Sequence, residues 1–291
     1  MKLELRKTNK KICKDLIYIS AGDRETFATY AADNLSARFD IAIFFYGKDQ
    51  RRAASLEKQA SIFAVGSGTK FNSYKKMLEK YPALAEYESV WICDDDIIPS
   101  SSEIVNLPTL LKKFNLKVIS PAHSSQGKIS HKIMLTCKGD QTIRYVNFVE
   151  MTCPMFSSNA LNQFIHAYDG SLAGWGVDWW YLNFFKADDE LVAAVTDQYE
   201  VINPYDNKKQ GSGREIDKFM NTEQRQLQWF RVMKQNGFKE WRHNNFYWIF
   251  MDSSHKKVSP EKYTFMKHLI PRPARPLVKS IYRMFFTSNN I

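Results

Sequence analysis

Residues 90–100 read VWICDDDIIPS, an apolar run that ends in three consecutive carboxylates, Asp94, Asp95 and Asp96. Like charges at that spacing repel one another, and burying any of them is costly without a counter-charge. On an extended chain alternate side chains share a face, so Asp94 and Asp96 converge while Asp95 points away. Two convergent carboxylates suit a hard cation, Mg²⁺ or Mn²⁺, which takes oxygen ligands and often uses one or two protein carboxylates completed by substrate phosphates. The plainer reading is that the aspartates open a loop and cap its turns.

A second constellation, GWGVD at 174–178, sets two glycines around Trp175 and places Asp178 two residues after Gly176. Glycine lets a backbone approach a ligand closely, the indole offers a flat apolar face to a sugar, and the carboxylate could take a proton from a hydroxyl. The alternative is a tight turn, with Trp175, Trp179 and Trp180 in the core and Asp178 capping a helix. Glu150 lies within the apolar run FVEMTC, where a carboxylate is costly unless paired. It either holds a substrate hydroxyl or satisfies a neighbouring Arg or backbone amide.

These residues need elements to hold them. Between residues 15 and 114 strand-like and helix-like segments alternate: DLIYISAG, RETFATYAADNLSARF, FDIAIFFYG, the polar RRAASLEKQ, ASIFAVGSG, NSYKKMLEKYPALAEY and SVWICDDDI. Continuous apolar runs separated by helices predict a mostly parallel sheet covered on both faces. Ligands gather at the carboxyl ends of such strands. The residues there are Ser20, Ala21, Gly22, Asp23 and Arg24, then Tyr46 to Lys48, then Ser67 to Lys70, then the aspartates. Small residues, cations and carboxylates at one rim suit a nucleotide and a metal. Ser20, Ala21, Gly22, Arg24, Tyr46 and Lys70 are the expected nucleotide contacts.

Further along, KVISPAH reads as a strand, and KISHKIMLTC with TIRYVNFVEM reads as a hairpin turning at residues 138–140. SSNALNQFIHAY reads as a helix capped by Ser157 or Ser158. After about residue 201 the sheet pattern fades. NPYDNKKQGSG is a turn-rich link and EIDKFMNTEQRQLQWFRVMKQNG is helix-like. The expected organisation is a catalytic domain over 1–205 and a helical, basic extension over 206–291.

The 291 residues carry 41 Lys and Arg against 31 Asp and Glu, a net charge of +10 that favours anionic partners. From 256 to 283 eight cations face one acid, interleaved with aromatic and aliphatic residues. Such a segment suits an anionic bilayer surface, or else docks on the catalytic domain with a solvated basic face. No nucleic-acid motif accompanies the charge. The four cysteines show neither a CxxC pair nor zinc-like spacing, and Cys93 and Cys153 read as buried free thiols. The charged opening MKLELRKTNKKICKD is no signal peptide and no run is long enough for a membrane span. The expected location is therefore cytoplasmic, with peripheral attachment to the inner face of the cell membrane.

A strand ending in Asp-x-Asp after an α/β half with nucleotide-friendly turns resembles the GT-A glycosyltransferases. More narrowly, the blocks VWICDDDI, FVEMTCPMFSS and GWGVDWWY resemble bacterial and plant proteins grouped as the DUF707 family of putative glycosyltransferases. The resemblance implies a nucleotide-sugar donor with a divalent metal on its diphosphate. Asp96 is then the direct ligand, and Asp94 or Asp95 lies near the ribose. The GWG block is similar to that of the β-1,4-galactosyltransferases, whose acidic residue is the base of an inverting reaction, which gives that role to Asp178. Glu150, Trp175 and Gly176 would face a glycan or glycolipid acceptor of polysaccharide or lipopolysaccharide synthesis. Where the wider group often supplies a late His to the metal, VTDQYEVINPYDN has none and leaves Asn203 or Asp206 as oxygen substitutes. The competing classes are a nucleotide-sugar-forming nucleotidyltransferase, of which ISAGDRET is a faint echo, and a non-catalytic glycan- or membrane-binding module of the same fold.

Overall fold

The computed structural model describes residues 3–24, 27–137, 141–205 and 220–250. These residues form an 11-stranded mixed sheet with helices packed on it. Its first half follows from four apolar runs: β2 (Asp15–Ala21), β3 (Phe39–Phe45), β4 (Ile62–Val65) and β5 (Ser89–Asp94), buried along nearly their whole length. They lie in the order β4-β3-β2-β5 and every pair is parallel. Strands buried on both faces require right-handed crossover helices. Those are α1 (Phe27–Asn34), α2 (Gln50–Gln59) and α3 (Lys70–Lys80). The segment expected only to be polar is α2, whose Asp49 cap accepts from the amides of Arg51 and Arg52 while Ala53 and Leu56 alone are buried.

Beyond β5 the sheet changes character. β7 (Val118–His123) and β10 (Ala193–Ile202) are parallel neighbours, but the short β9 (Met155–Ser157) enters antiparallel between β5 and β7. β6 (Ile98–Pro99) and β8 (Gln141–Val146) pair antiparallel with β10. The expected hairpin between KISHKIMLTC and TIRYVNFVEM is corrected here: β8 pairs with β10, and residues 132–134 make a 3₁₀ turn. The expected turn at 138–140 lies outside the described residues. The sheet also extends at both ends past what the sequence suggested, with β1 (Glu4–Thr8) antiparallel to β4 and β11 (Asn245–Phe250) beside β8.

α4 (Leu107–Lys113) precedes β7, and α5 (Ser158–Ala167) begins after Ser157 as expected, although that side chain makes no capping bond. α7 (Thr222–Asn236) opens with a reciprocal capping box between Asn221 and Gln224. Its Trp229 and Val232 join the same core as the sheet, and the compact unit runs Met1–Trp248, past the 205/206 boundary read from composition. The basic tail and Asp206 lie outside the described residues. Cys93 and Cys153 are buried free thiols. Among the described residues no helix is long and apolar enough to cross a membrane.

Candidate active site

β2 and β5 run side by side with Ser20 against Asp94, so the turn after β2 meets the aspartates directly. Asp95 organises that turn: its Oδ2 accepts from the Gly22 amide at 2.8 Å and from the Tyr46 hydroxyl at 3.3 Å, and its carbonyl accepts from the first amide of α1. Tyr46 in turn donates its amide to Ala21 O at 2.9 Å. A Cβ on Gly22 would stand 2.9 Å from the Tyr46 ring, so only glycine lets turn and ring pack this closely. Arg24 is exposed at the same rim.

Lys70 opens α3, and its ammonium is buried. It pairs with Asp94 Oδ1 at 2.7 Å and donates to the carbonyls of Thr152, at 3.0 Å, and Met151. An ammonium has three protons, and these partners use all three. The cation expected to meet donor phosphates therefore neutralises Asp94, and the chain itself offsets part of the crowded charge. Asp96 is half-buried. The β6–β10 pairing ends with Ile98 against Ile202, two residues from Asp96 and one from Asn203, whose carbonyl accepts from the Lys128 amide at 2.7 Å.

Among the described residues no group of three or more His, Cys, Asp or Glu side chains is arranged to hold a metal ion. Asp96 and Asn203 each carry a hard oxygen of the kind Mg²⁺ or Mn²⁺ takes, too few to hold either ion without phosphate and water in the shell.

Glu150, expected on the acceptor side, is reached through the segment beside β5. Residues 152–154 lie along β5, with the Asp94 amide on Thr152 O at 2.8 Å, the Ile92 amide on Pro154 O at 2.9 Å and the Trp91 indole on Cys153 O at 2.8 Å. That alignment sets Glu150 just beyond the Lys70–Asp94 pair. Glu150 Oε2 faces His123 Nδ1 at 3.7 Å, and the Glu150 charge also acts on Asp178. Lys70 thus ties Asp94 to the 151–152 backbone, and Glu150, the residue before it, acts by its charge on Asp178.

Asp178 is the second residue of α6 (Val177–Phe185), which starts from two glycines in left-handed conformation, Gly174 at φ 101° and Gly176 at φ 87°. A Cβ on Gly176 would sit 2.4 Å from the Trp229 indole, so the turn can close only onto glycine. Gly176→Ala is expected to cost about 2–4 kcal/mol, from the left-handed backbone and the clash together. A lowered Tm with altered tryptophan emission checks it. Trp179 and Trp180 are core, as the tight-turn reading expects, whereas Trp175 is 40% exposed. Asp178 Oδ1 accepts from the Trp179 amide at 2.9 Å. Burial pushes its carboxyl up to about 7, with the charges of Glu150 and Glu240 adding to the rise and backbone amides opposing it. A carboxylate that exchanges a proton near neutrality is suited to general base work.

A parallel half with an aspartate cluster at its carboxyl rim, continued by a mixed half, is a fold shared with GT-A-type glycosyltransferases, which are its structural neighbours. GalNAc-T7, solved with UDP, GalNAc and Mn²⁺, is similar over 76% of this chain and 48% of its own, with 7% identity and a TM-score of 0.51. S. aureus TarS 1–349, solved with UDP-GlcNAc, matches over 75% of this chain and 66% of its own, with 10% identity and a TM-score of 0.49. The chain spans less than two thirds of either. No family model and no curated protein matches it, so the likeness to the DUF707 family rests on the three sequence blocks.

Proposed function

We propose that this protein is an inverting glycosyltransferase of the DUF707 type, moving a sugar from a nucleotide-sugar donor to a glycan or glycolipid acceptor. The observation that carries the reading is Asp178: buried, with its carboxyl pushed up to about 7 by burial and by the nearby charge of Glu150. Asp178 takes the proton of an acceptor hydroxyl, whose oxygen attacks the anomeric carbon. The bond to the nucleoside diphosphate breaks, the diphosphate leaves with the electron pair, and the anomeric configuration inverts. Glu150 holds the acceptor, and Trp175 and Gly176 line its approach. Ser20, Ala21, Gly22, Arg24 and Tyr46 shape the donor rim, with Asp95 locking it.

Asp96, with Asn203, would hold a divalent cation on the donor diphosphate, where it would offset charge on the leaving group. Asp94 serves the rim through Lys70 rather than as the main ligand. The net charge of +10, with the cations of segment 256–283, supports an acceptor at an anionic membrane surface.

Thermal shift with nucleoside diphosphates, with and without Mn²⁺, tests the reading. A nucleotide raises Tm, Mn²⁺ adds a further rise, and Asp96→Asn loses the Mn²⁺ part while melting at no lower temperature than wild type. Ligand at 100 times its Kd corresponds to about 2.7 kcal/mol of stabilisation. No nucleotide response in the wild-type chain rejects the donor site.

A further inference from the structure

His123 closes β7 and is 1% exposed, and Glu150 follows β8 at 8%. Their facing atoms, His123 Nδ1 and Glu150 Oε2, are both buried without a hydrogen-bond partner. The 3.7 Å between them exceeds a hydrogen bond by about 0.8 Å. Orphaned buried groups of opposite type, turned toward one another, are a rare and costly arrangement.

The imidazole chemistry fixes what they do. Burial pushes His123 down, so at neutral pH the ring is uncharged and carries one N–H. A proton on Nε2 would leave the Nδ1 lone pair facing a carboxylate in a dry setting. A proton on Nδ1 points at the acceptor opposite. On the other side of the ring Nε2 lies 3.9 Å from Cys153 Sγ, and burial pushes that thiol up to about 12, so it keeps a proton to share with Nε2. Both sides of the ring favour the Nδ1–H tautomer. The Glu150 charge also acts on His131, itself pushed down by burial, on Asp178 and on the buried Tyr181 hydroxyl.

We propose that His123, donating from Nδ1, is the positioning residue that aims Glu150 at the acceptor hydroxyl beside Asp178. Glu150 Oε2 faces the ring at 3.7 Å, and the Glu150 side chain keeps 10% of its surface exposed for the hydroxyl. The pairing stands on geometry; its use by an acceptor rests on glycosyl transfer as the reaction.

The test combines a spectroscopic and a kinetic arm on the full chain. In ¹⁵N-histidine NMR near pH 8, with His123→Ala for assignment, His123 shows a protonated Nδ1 whose shift moves in Glu150→Gln. In transfer from nucleotide sugars to a panel of glycosides, His123→Asn keeps an N–H where Nδ1 stood and retains most activity. His123→Gln and His123→Ala lose about 10-fold in kcat/KM for the acceptor while nucleoside diphosphate affinity is unchanged. A bare Nδ1, no response to Glu150→Gln, or equal rescue by Gln and Asn overturns the proposal. A correct NMR signature with no transfer by the wild type upholds the pairing and overturns its use by an acceptor, which locates the failure in the glycosyltransferase reading.

Discussion

Asp178→Asn is expected to lose turnover and gain stability at once. As the proposed base, Asp178 must accept a proton, and removing that group typically costs about 10²–10⁴-fold in rate. Donor binding, built from the opposite rim, should persist. The stability gain follows from the sign of the shift. The folded carboxyl sits near 7 rather than at its usual 3.8 because burial disfavours its charged form. As pH rises from about 4 to about 7 the unfolded chain has already ionised while the folded one resists, so stability falls across that window and stays reduced above it. The full shift corresponds to ~4 kcal/mol, and the unpaired amide protons of Asn cancel part of it, leaving about 1–3 kcal/mol at pH 8.

Urea titration of the variant reads the gain, and product NMR reads the anomer. In the wild type kcat/KM climbs about tenfold per pH unit and levels near pH 7. Glu150→Gln, by removing a neighbouring charge, moves that break to lower pH. Near-normal turnover in Asp178→Asn removes the assignment, and a retained anomer removes the mechanism.

Arg144→Met is expected to be the most destabilising single change in the carboxyl half of the sheet. The guanidinium is buried on β8 and forks onto Asp197 of β10 at 2.7 and 3.2 Å. Its remaining protons go to Ile133 O at 2.9 Å, Leu135 O at 3.1 Å and Asn245 Oδ1 at 3.1 Å. One side chain thus ties β8, β10, β11 and the 133–135 loop. Truncating it leaves a buried carboxylate and orphaned carbonyls, worth about 3–5 kcal/mol. Arg144→Lys recovers little because an ammonium cannot reproduce the planar fork. Arg144→Met combined with Asp197→Leu should recover most of the loss. Chemical denaturation of the wild type, Arg144→Met, Asp197→Leu and the double variant decides it, and additive losses in the double variant exclude the pair as the cause.

What could be read in advance tracks how each element is stabilised. β2 to β5 announced themselves because strands buried on both faces must be apolar throughout. β1, ELRKT, alternates charge with little burial and is held to β4 by its backbone, so no side-chain pattern marks it. β11, NFYWIF, carries a strand-like sequence but pairs with β8, about a hundred residues earlier, and only the folded topology shows where it belongs. At the site, the aspartates, Glu150 and Asp178 were legible as carboxylates in costly places. Their counterparts were not. Lys70 lies 24 residues before Asp94, and His123 lies 27 before Glu150; Lys70 opens a helix and Glu150 lies in a loop, so only the fold brings each to its partner. A lone histidine at a strand end carries no signal of the carboxylate it will face.

The antiparallel β9 inserted between β5 and β7 also sets an order of events during synthesis. The strands β2 to β5 and their crossover helices contact one another over short chain distances and can assemble as the first hundred residues emerge. β5 cannot be covered on its far side until residues 155–157 arrive some sixty residues later. At elongation rates of about 5–20 residues per second, a strand of VWIC character waits several seconds with an open edge. That edge is the template on which one nascent chain could pair with another. Slow translation between residues 95 and 157 would lengthen the exposure, and chaperone capture of ribosome-bound chains should peak in that interval.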